Sequence, residues 1–198
     1  NKNVRWLYLK GLPYGILGIF LAATLLVHPA ETPGIFLLDV GQGDGIFLTD
    51  GHGGHIWIDG GSSSEAAVGT YRMLPFLKYH RVNAVDVWIV THPDADHISG
   101  LGVLARKFHI PIYGTEKTLR QISEMGNLGK IDRGLFMPVE AGREFSVGSL
   151  SVESFSISHD AVDPVSFLIR DGGRKLGMVT DLGYYDESIV ERLKDSNL

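Results

Sequence analysis

Cysteine is absent from the 198-residue chain. No disulfide framework, thiolate zinc site or thiol nucleophile can therefore exist, and any metal must be held by His and carboxylates. The redox compartment is left unreadable for the same reason. Net positive charge is lacking too: the formal charge is −5, and residues 1–30 hold Lys2, Arg5 and Lys10 with no acid, leaving 15 basic and 23 acidic side chains, a net −8, on residues 31–198. A basic nucleic-acid footprint spread over the surface is excluded; a phosphate chain would need bound cations or a local basic strip to approach. No internal repeat is present. With 44% apolar residues, 21% charged residues and 25 glycines, the chain is neither disordered nor collagen-like, and its length holds one ordinary domain with an appendage.

One stretch lacks charge altogether. Residues 12–27 carry no ionised side chain, and together with Val4 to Leu9 they approach a bilayer span. A membrane helix wants ~20 apolar residues, and this core is shorter and contains Pro13, so residues 4–27 are expected to form a short anchor or the last span of a longer membrane protein. A cleaved signal peptide is the rival, but its exit would be His28-Pro29-Ala30, with His where a small residue belongs; a buried soluble helix is the third reading. The basic residues ahead of the run favour a cytoplasmic N-terminus and an exported globular part. The expected division is an anchor over residues 1–30 and a globular domain over residues 31–198.

After Pro33 short apolar runs alternate with glycine and turn residues. Ile35 to Val40, Gly45 to Thr49 and His55 to Asp59 read as strands, with Asp50-Gly51-His52-Gly53-Gly54 as a hairpin turn. Ala66 to Tyr79 reads as a helix kinked or broken at Pro75, and Val85 to Val90 as a buried strand. Helices are expected over Ser99 to Phe108, Thr115 to Met125 and Glu187 to Lys194. Further strands are expected over Ile110 to Tyr113, Glu144 to Val147, Leu150 to Ile157, Val165 to Arg170 and Lys175 to Thr180. Strands mixed with helical crossovers give a layered α/β or α+β domain.

The densest chemistry is Thr91-His92-Pro93-Asp94-Ala95-Asp96-His97, where the buried strand ends. Four metal-capable side chains in six positions can converge because the strand fixes the base of their loop. A helix cap needs one carboxylate, not two His and two Asp. His159, after the strand Leu150 to Ile157, and Asp181, after Lys175 to Thr180, would each read alone as ordinary surface or turn residues. Both leave strand ends on a scaffold that can gather distant ligands.

His92-Pro93-Asp94-Ala95-Asp96-His97, with an upstream strand ending Ile58-Asp59-Gly60-Gly61, then His159 and Asp181, resembles the metallo-β-lactamase fold superfamily. Residues 1–100, through Phe36 to Asp44 and Thr91 to Gly100, resemble the hydrolase domain and last membrane span of ComEC-type competence proteins. Residues 101–198, through Gly102 to Lys107, Ile110 to Thr115, His159 to Val165 and Thr180 to Gly183, resemble YycJ-type exonuclease-like hydrolases. The resemblance implies an αββα four-layer sandwich preceded by an apolar helix. It implies two divalent metal ions: His92, Asp94 and His159 on the first, Asp96 and His97 on the second, and Asp181 between them. Zinc suits this ligation, and the carboxylate of Asp94 makes manganese a competitor. Asp96 or Asp181 would orient the attacking water. The superfamily usually supplies a further His downstream, and no His follows His159, so the expectation is a C-terminally incomplete fold, a weaker second site, or water in that position.

Both resemblances imply a phosphodiesterase acting on DNA, one in competence-type uptake at a bacterial-type cell membrane, the other as a cytoplasmic exonuclease; a noncatalytic metal- or nucleic-acid-binding module is the reading from another class. Two metals would add about +4 where the acidic domain needs it. Lys117, Arg120 and Lys130 could add a basic face, although a solvated helix surface is the simpler reading. Gly41-Gln42-Gly43-Asp44-Gly45 lacks the ending of a phosphate loop and reads as a tight turn beside the metal centre. Ser62-Ser63-Ser64 lacks a partnered base and reads as a loop or helix cap. His52 and His55 read as hairpin residues, and Trp57, Tyr71 and Phe76 as core.

Overall fold

The computed structural model describes residues 13–23 and 32–198. Two compact units divide the chain, Asn1–Glu31 and Thr32–Leu198. In the first, residues 13–23 form a helix, α1, exposed throughout. Eleven residues rise about 16 Å, half of a ~30 Å hydrocarbon core, and among the described residues no helix is long and apolar enough to cross a membrane. The rest of the expected span, residues 4–12 and 24–27, lies outside the described residues, as does the His28-Pro29-Ala30 segment.

In the second unit, β1 (Gly34–Leu37), β2 (Ile46–Thr49), β3 (His55–Ile58), β4 (Val87–Ile89), β5 (Ile112–Thr115) and β6 (Phe136–Val139) form one sheet in sequence order. Its first three strands pair antiparallel and the rest parallel. The second sheet is antiparallel, ordered β10 (Arg174–Met178), β9 (Val165–Asp171), β8 (Leu150–Ser156), β7 (Glu144–Val147).

The alternation of side chains along a strand sorts the first sheet's residues into two cores. Phe36, Phe47, Trp57 and Trp88 lie in register across β1 to β4 and face the helices, with Met73, Leu77, Leu101, Leu104, Leu119 and Ile122. Ile46, Leu48, Ile56, Ile58, Val87 and Ile89 point the other way and meet Val152, Val165, Phe167 and Ile169 of the second sheet. Both faces are covered, which is why every residue of β2, β3 and β4 is buried and none of these strands alternates apolar with polar. Phe155 and Leu168, on the second sheet's outer face, take Ile189 of α6 (Glu187–Leu193). The layers are therefore helix, sheet, sheet and helix, as the family resemblance implied.

Four local differences have physical causes. The expected helix over Ala66 to Tyr79 is a π-helical turn, Gly69–Met73, followed by α2 (Leu74–Tyr79); Pro75 sits in the first turn of α2, where its missing N–H costs no bond. Tyr71, expected in the core, is 73% exposed on that turn. A short helix, α3 (Ala95–Ile98), precedes α4 (Leu101–Phe108), the two parted at Ser99-Gly100. Strand β6 was not anticipated because Pro138 lies within it; an edge strand tolerates proline. The remaining helix, α5 (Glu116–Glu124), is capped by the Thr115 side chain, which accepts the Thr118 N–H.

Candidate metal centre

Strands β3 to β6 run parallel, so their C-terminal ends share one rim, and Asp59 and Thr91-His92 leave β3 and β4 there. Strands β8 and β10 both oppose β9 and point the same way, and His159 and Asp181 follow their ends. A backbone bond joins the rims, Val165 N–H donating to the Thr91 carbonyl at 3.0 Å, and within the second rim Gly183 N–H donates to the Ser158 carbonyl at 2.6 Å. Asp181 itself takes φ +52°, a left-handed conformation that Asp adopts more readily than most residues.

A third segment is laced in by glycines. Asp44 N–H donates to the Asp96 carbonyl at 3.1 Å, Gly61 N–H to the Asp44 carbonyl at 3.0 Å, and Gly60 N–H to the His97 carbonyl at 2.6 Å. A Cβ on Gly61 would stand 2.4 Å from the Asp96 carbonyl carbon and 2.5 Å from the Ala95 oxygen, and one on Gly43 would stand 2.4 Å from the Asp96 oxygen. Only backbone without a side chain can approach so closely. The Gly41 to Gly45 turn lies beside the centre and carries Asp44 into it.

Two groups of donor atoms result, each within 4.8 Å: His92, His159 and Asp181, and Asp44, His97 and Asp181. Asp181 belongs to both. Its Oδ2 lies 2.9 Å from His97 Nε2, and the His92 ring centroid is 4.0 Å from that of His97 and 4.7 Å from that of His159. Asp94 Oδ2 lies 3.7 Å from His92 Nε2 and 4.0 Å from His159 Nε2. Asp94 holds the N-cap position of α3 without a side-chain cap bond, so its carboxylate faces these rings rather than the helix. Asp96 joins neither group; it sits in the first turn of α3 and its charge acts on Asp44. Of the six residues singled out in the sequence, four fall in the two groups, Asp94 borders the first, and Asp96 stands behind Asp44.

Asp44 and Asp59 had no assigned role. An isolated Asp beside glycine reads as a turn former, and the available signal was that both lie in glycine-flanked segments just beyond or before apolar strands. Asp59 is fully buried, with φ +52°. Its Oδ1 accepts the Thr91 N–H at 2.9 Å, and its Oδ2 accepts the Thr91 hydroxyl at 2.7 Å and lies 3.0 Å from His97 Nδ1.

The charges are strongly coupled. Burial alone would lower the His97 proton affinity, but the hydrogen bond and charge of Asp59, joined by Asp181 and Asp44, outweigh it and raise its pKa to about 9. Burial, and then the positive His97, push His92 down, against Asp59 and Asp94. Burial raises Asp44; His97 opposes the shift, and Asp59, Asp181 and Asp96 add to it. Carboxylates crowded around one imidazolium are a donor set that a divalent cation would satisfy better than a proton. Imidazole nitrogen with carboxylate oxygen suits zinc, and the oxygen-rich second group also suits manganese.

The other polar features stay structural. Ser62 Oγ accepts the Ser64 and Glu65 N–H groups. His55 is buried and stacked on Phe47 at 5.5 Å, and Asp50 closes its hairpin by accepting the His52 and Gly54 N–H groups. Lys117 pairs with Asp163 and Arg120 with Glu124, all at the surface.

Comparison with known proteins places the fold in a family. Residues 55–198 match the profile of the "Beta-lactamase superfamily domain". The chain is 34% identical over 141 residues to an exodeoxyribonuclease YycJ of Bacillus anthracis, covering 71% of this chain and 51% of that protein. It is 36% identical over 106 residues to an exodeoxyribonuclease WalJ of Streptococcus pneumoniae, covering 54% and 39%. A ribonuclease J of Helicobacter pylori is 30% identical over 146 residues, covering 70% and 21%. The chain thus spans about half or less of these relatives' length. Among solved structures, zinc-bound PqqB of Methylobacterium extorquens superposes with a TM-score of 0.61 at 14% identity, covering 78% of this chain and 58% of that one. The metallo-β-lactamase fold protein YhfI of Bacillus subtilis gives 0.60 at 18%, covering 78% and 61%. Sequence motif, four-layer architecture and profile agree, and the chain belongs to the β-lactamase superfamily.

Proposed function

We propose that the chain is a divalent-metal-dependent hydrolase of DNA phosphodiesters. The observation that carries this reading is the pair of three-residue donor groups sharing Asp181. His92, His159 and Asp94 would hold one ion, His97 and Asp44 the other, with Asp181 between them and Asp96 adding charge beside Asp44. Divalent ions bound by these residues would supply Lewis-acid chemistry, polarising a phosphoryl oxygen and lowering the pKa of water toward neutrality. The protein's own part is orientation. Asp59 fixes His97, the glycine-laced backbone fixes Asp44, and the half-exposed carboxylates of Asp181 and Asp94 remain open to solvent and substrate. The names of the exodeoxyribonuclease relatives support DNA as the substrate. The net −8 of residues 31–198 opposes a phosphate chain everywhere else, so affinity for DNA rests on the ions.

The test is turnover of a DNA phosphodiester reporter with added zinc or manganese. Activity in the parent chain that is lost in His97→Ala supports the hydrolase. Metal uptake without turnover in the parent leaves a noncatalytic binding module. Metal content beside an Asp96→Ala control then decides whether Asp96 contributes to holding the second ion.

A second reading concerns setting. The uncharged run over residues 12–27, preceded by Lys2, Arg5 and Lys10, favours a membrane-held enzyme with its globular part exported for DNA uptake; the alternative is an exonuclease with no membrane anchor, and the relatives' names support the exonuclease activity without a setting. Membrane fractionation separates them, because full release into the soluble fraction without proteolysis defeats the anchor.

A further inference from the structure

The hydroxyl of Thr91 has two neighbours and one proton. Oγ1 stands 2.7 Å from Asp59 Oδ2, to which it donates, and 3.0 Å from His92 Nδ1. Asp59 offers only acceptor oxygens to the three donors aimed at it, the Thr91 N–H, the Thr91 hydroxyl and His97 Nδ1. With its proton committed to Asp59, the hydroxyl can meet His92 only as an acceptor. His92 Nδ1 must then carry the hydrogen, and Nε2, the atom 3.7 Å from Asp94, is left with its lone pair.

We infer that Thr91 is a positioning residue that extends the reach of Asp59 to His92, so that one buried carboxylate orients a histidine in each donor group, His97 directly and His92 through the Thr91 hydroxyl. This rests on the metal-centre reading above and adds to it a defined tautomer and a defined residue. The site is built for the task. Thr91 is 1% exposed, Asp59 is fully buried, and His92 and His97 are 1% and 2% exposed, so water does not compete for these bonds. Thr91 is also fixed from both backbone sides, by its N–H to Asp59 and its carbonyl to Val165 N–H, and a change confined to the hydroxyl leaves those anchors in place. Hydrogen bonds from outer groups to ligand histidines set ring orientation, and their loss costs ~10–100-fold in metal affinity.

The experiment uses the full chain, free of metal, at a pH where His92 is neutral. Long-range nitrogen–proton NMR of the imidazoles reads the tautomer directly. The parent and Thr91→Ser should show His92 protonated at Nδ1, and Thr91→Val should lose that preference while His97 keeps its Nδ1 proton on Asp59. Calorimetric titration with zinc should then show a ~10–100-fold weaker ion in Thr91→Val, with Thr91→Ser restoring affinity to within a few-fold. A parent spectrum with His92 protonated at Nε2 overturns the inference without any variant, and so does a Thr91→Val spectrum unchanged from the parent. Because the tautomer is read without metal or substrate, a chain that shows it and yet cleaves no DNA refutes the functional reading alone.

Discussion

A metal ion held at His97 as proposed would compete with the proton there, and the competition has a calculable size. His97 is 2% exposed and titrates at about 9 because Asp59, Asp181 and Asp44 surround it. A cation on Nε2 must displace that proton, so at pH 7 the imidazolium handicaps binding by ~100-fold relative to the deprotonated ring. Each pH unit below 9 removes a further factor of ~10, and lowering the pH from 8 to 6 should weaken the ion at His97 by ~100-fold through this group alone. Calorimetric titration of zinc into the metal-free chain, repeated in buffers of different ionisation enthalpy, measures both affinity and protons released. About one proton should leave His97 for each ion bound there at pH 7. Equal affinity at pH 6 and 8, with no proton released, would refute the reasoning. The same proton stabilises the metal-free fold. His97's ordinary value is 6.5, so its contribution is complete below about pH 6.5 and is lost as the pH climbs through about 9.

Three further outcomes are expected. Asp181→Ala should reduce reporter hydrolysis by more than ~100-fold, beyond the usual cost of losing an outer-shell partner, while His52→Ala, on the hairpin, leaves it unchanged; equal rates for the two variants contradict the shared-ligand assignment. Asp44→Asn should weaken the ion on His97 and spare the one on His92 and His159, as read by zinc stoichiometry; two ions bound as tightly as in the parent would remove Asp44 from the centre. Gly61→Ala should destabilise the fold by ~1–3 kcal/mol, because the new methyl meets the Asp96 and Ala95 backbone rather than a movable side chain; an unshifted urea midpoint would mean that the segments can part at no cost.

Much of this was legible in the residues themselves. The apolar run of β4 announced a strand covered on both faces, and the density of the His92 to His97 cluster marked it as the candidate for metal chemistry. His159 and Asp181 would each have read alone as a surface or turn residue; their places after strand ends raised them, and the family resemblance assigned them. Asp44 and Asp59 were not, because their importance comes from what lies across from them: Asp59 serves His97 and Thr91 from 38 and 32 positions away. Asp44 reaches the centre through two glycine contacts that no local pattern encodes. Strand β6 was hidden by Pro138, whose cost depends on edge position, a property of topology. The π-helical turn before Pro75 was hidden because five residues followed by a six-residue helix are too few for a phase shift in apolar periodicity to be read.

The centre lies on the seam of the sandwich, since His92 and His97 belong to one sheet's rim and His159 and Asp181 to the other's. A cation bound as proposed would consequently be a rivet between two layers that otherwise meet there through apolar packing and the bond from Val165 N–H to the Thr91 carbonyl. Stripping the ion would slacken the sandwich at that rim, and amide exchange at Val165, whose N–H donates to the Thr91 carbonyl across it, would be the first to quicken.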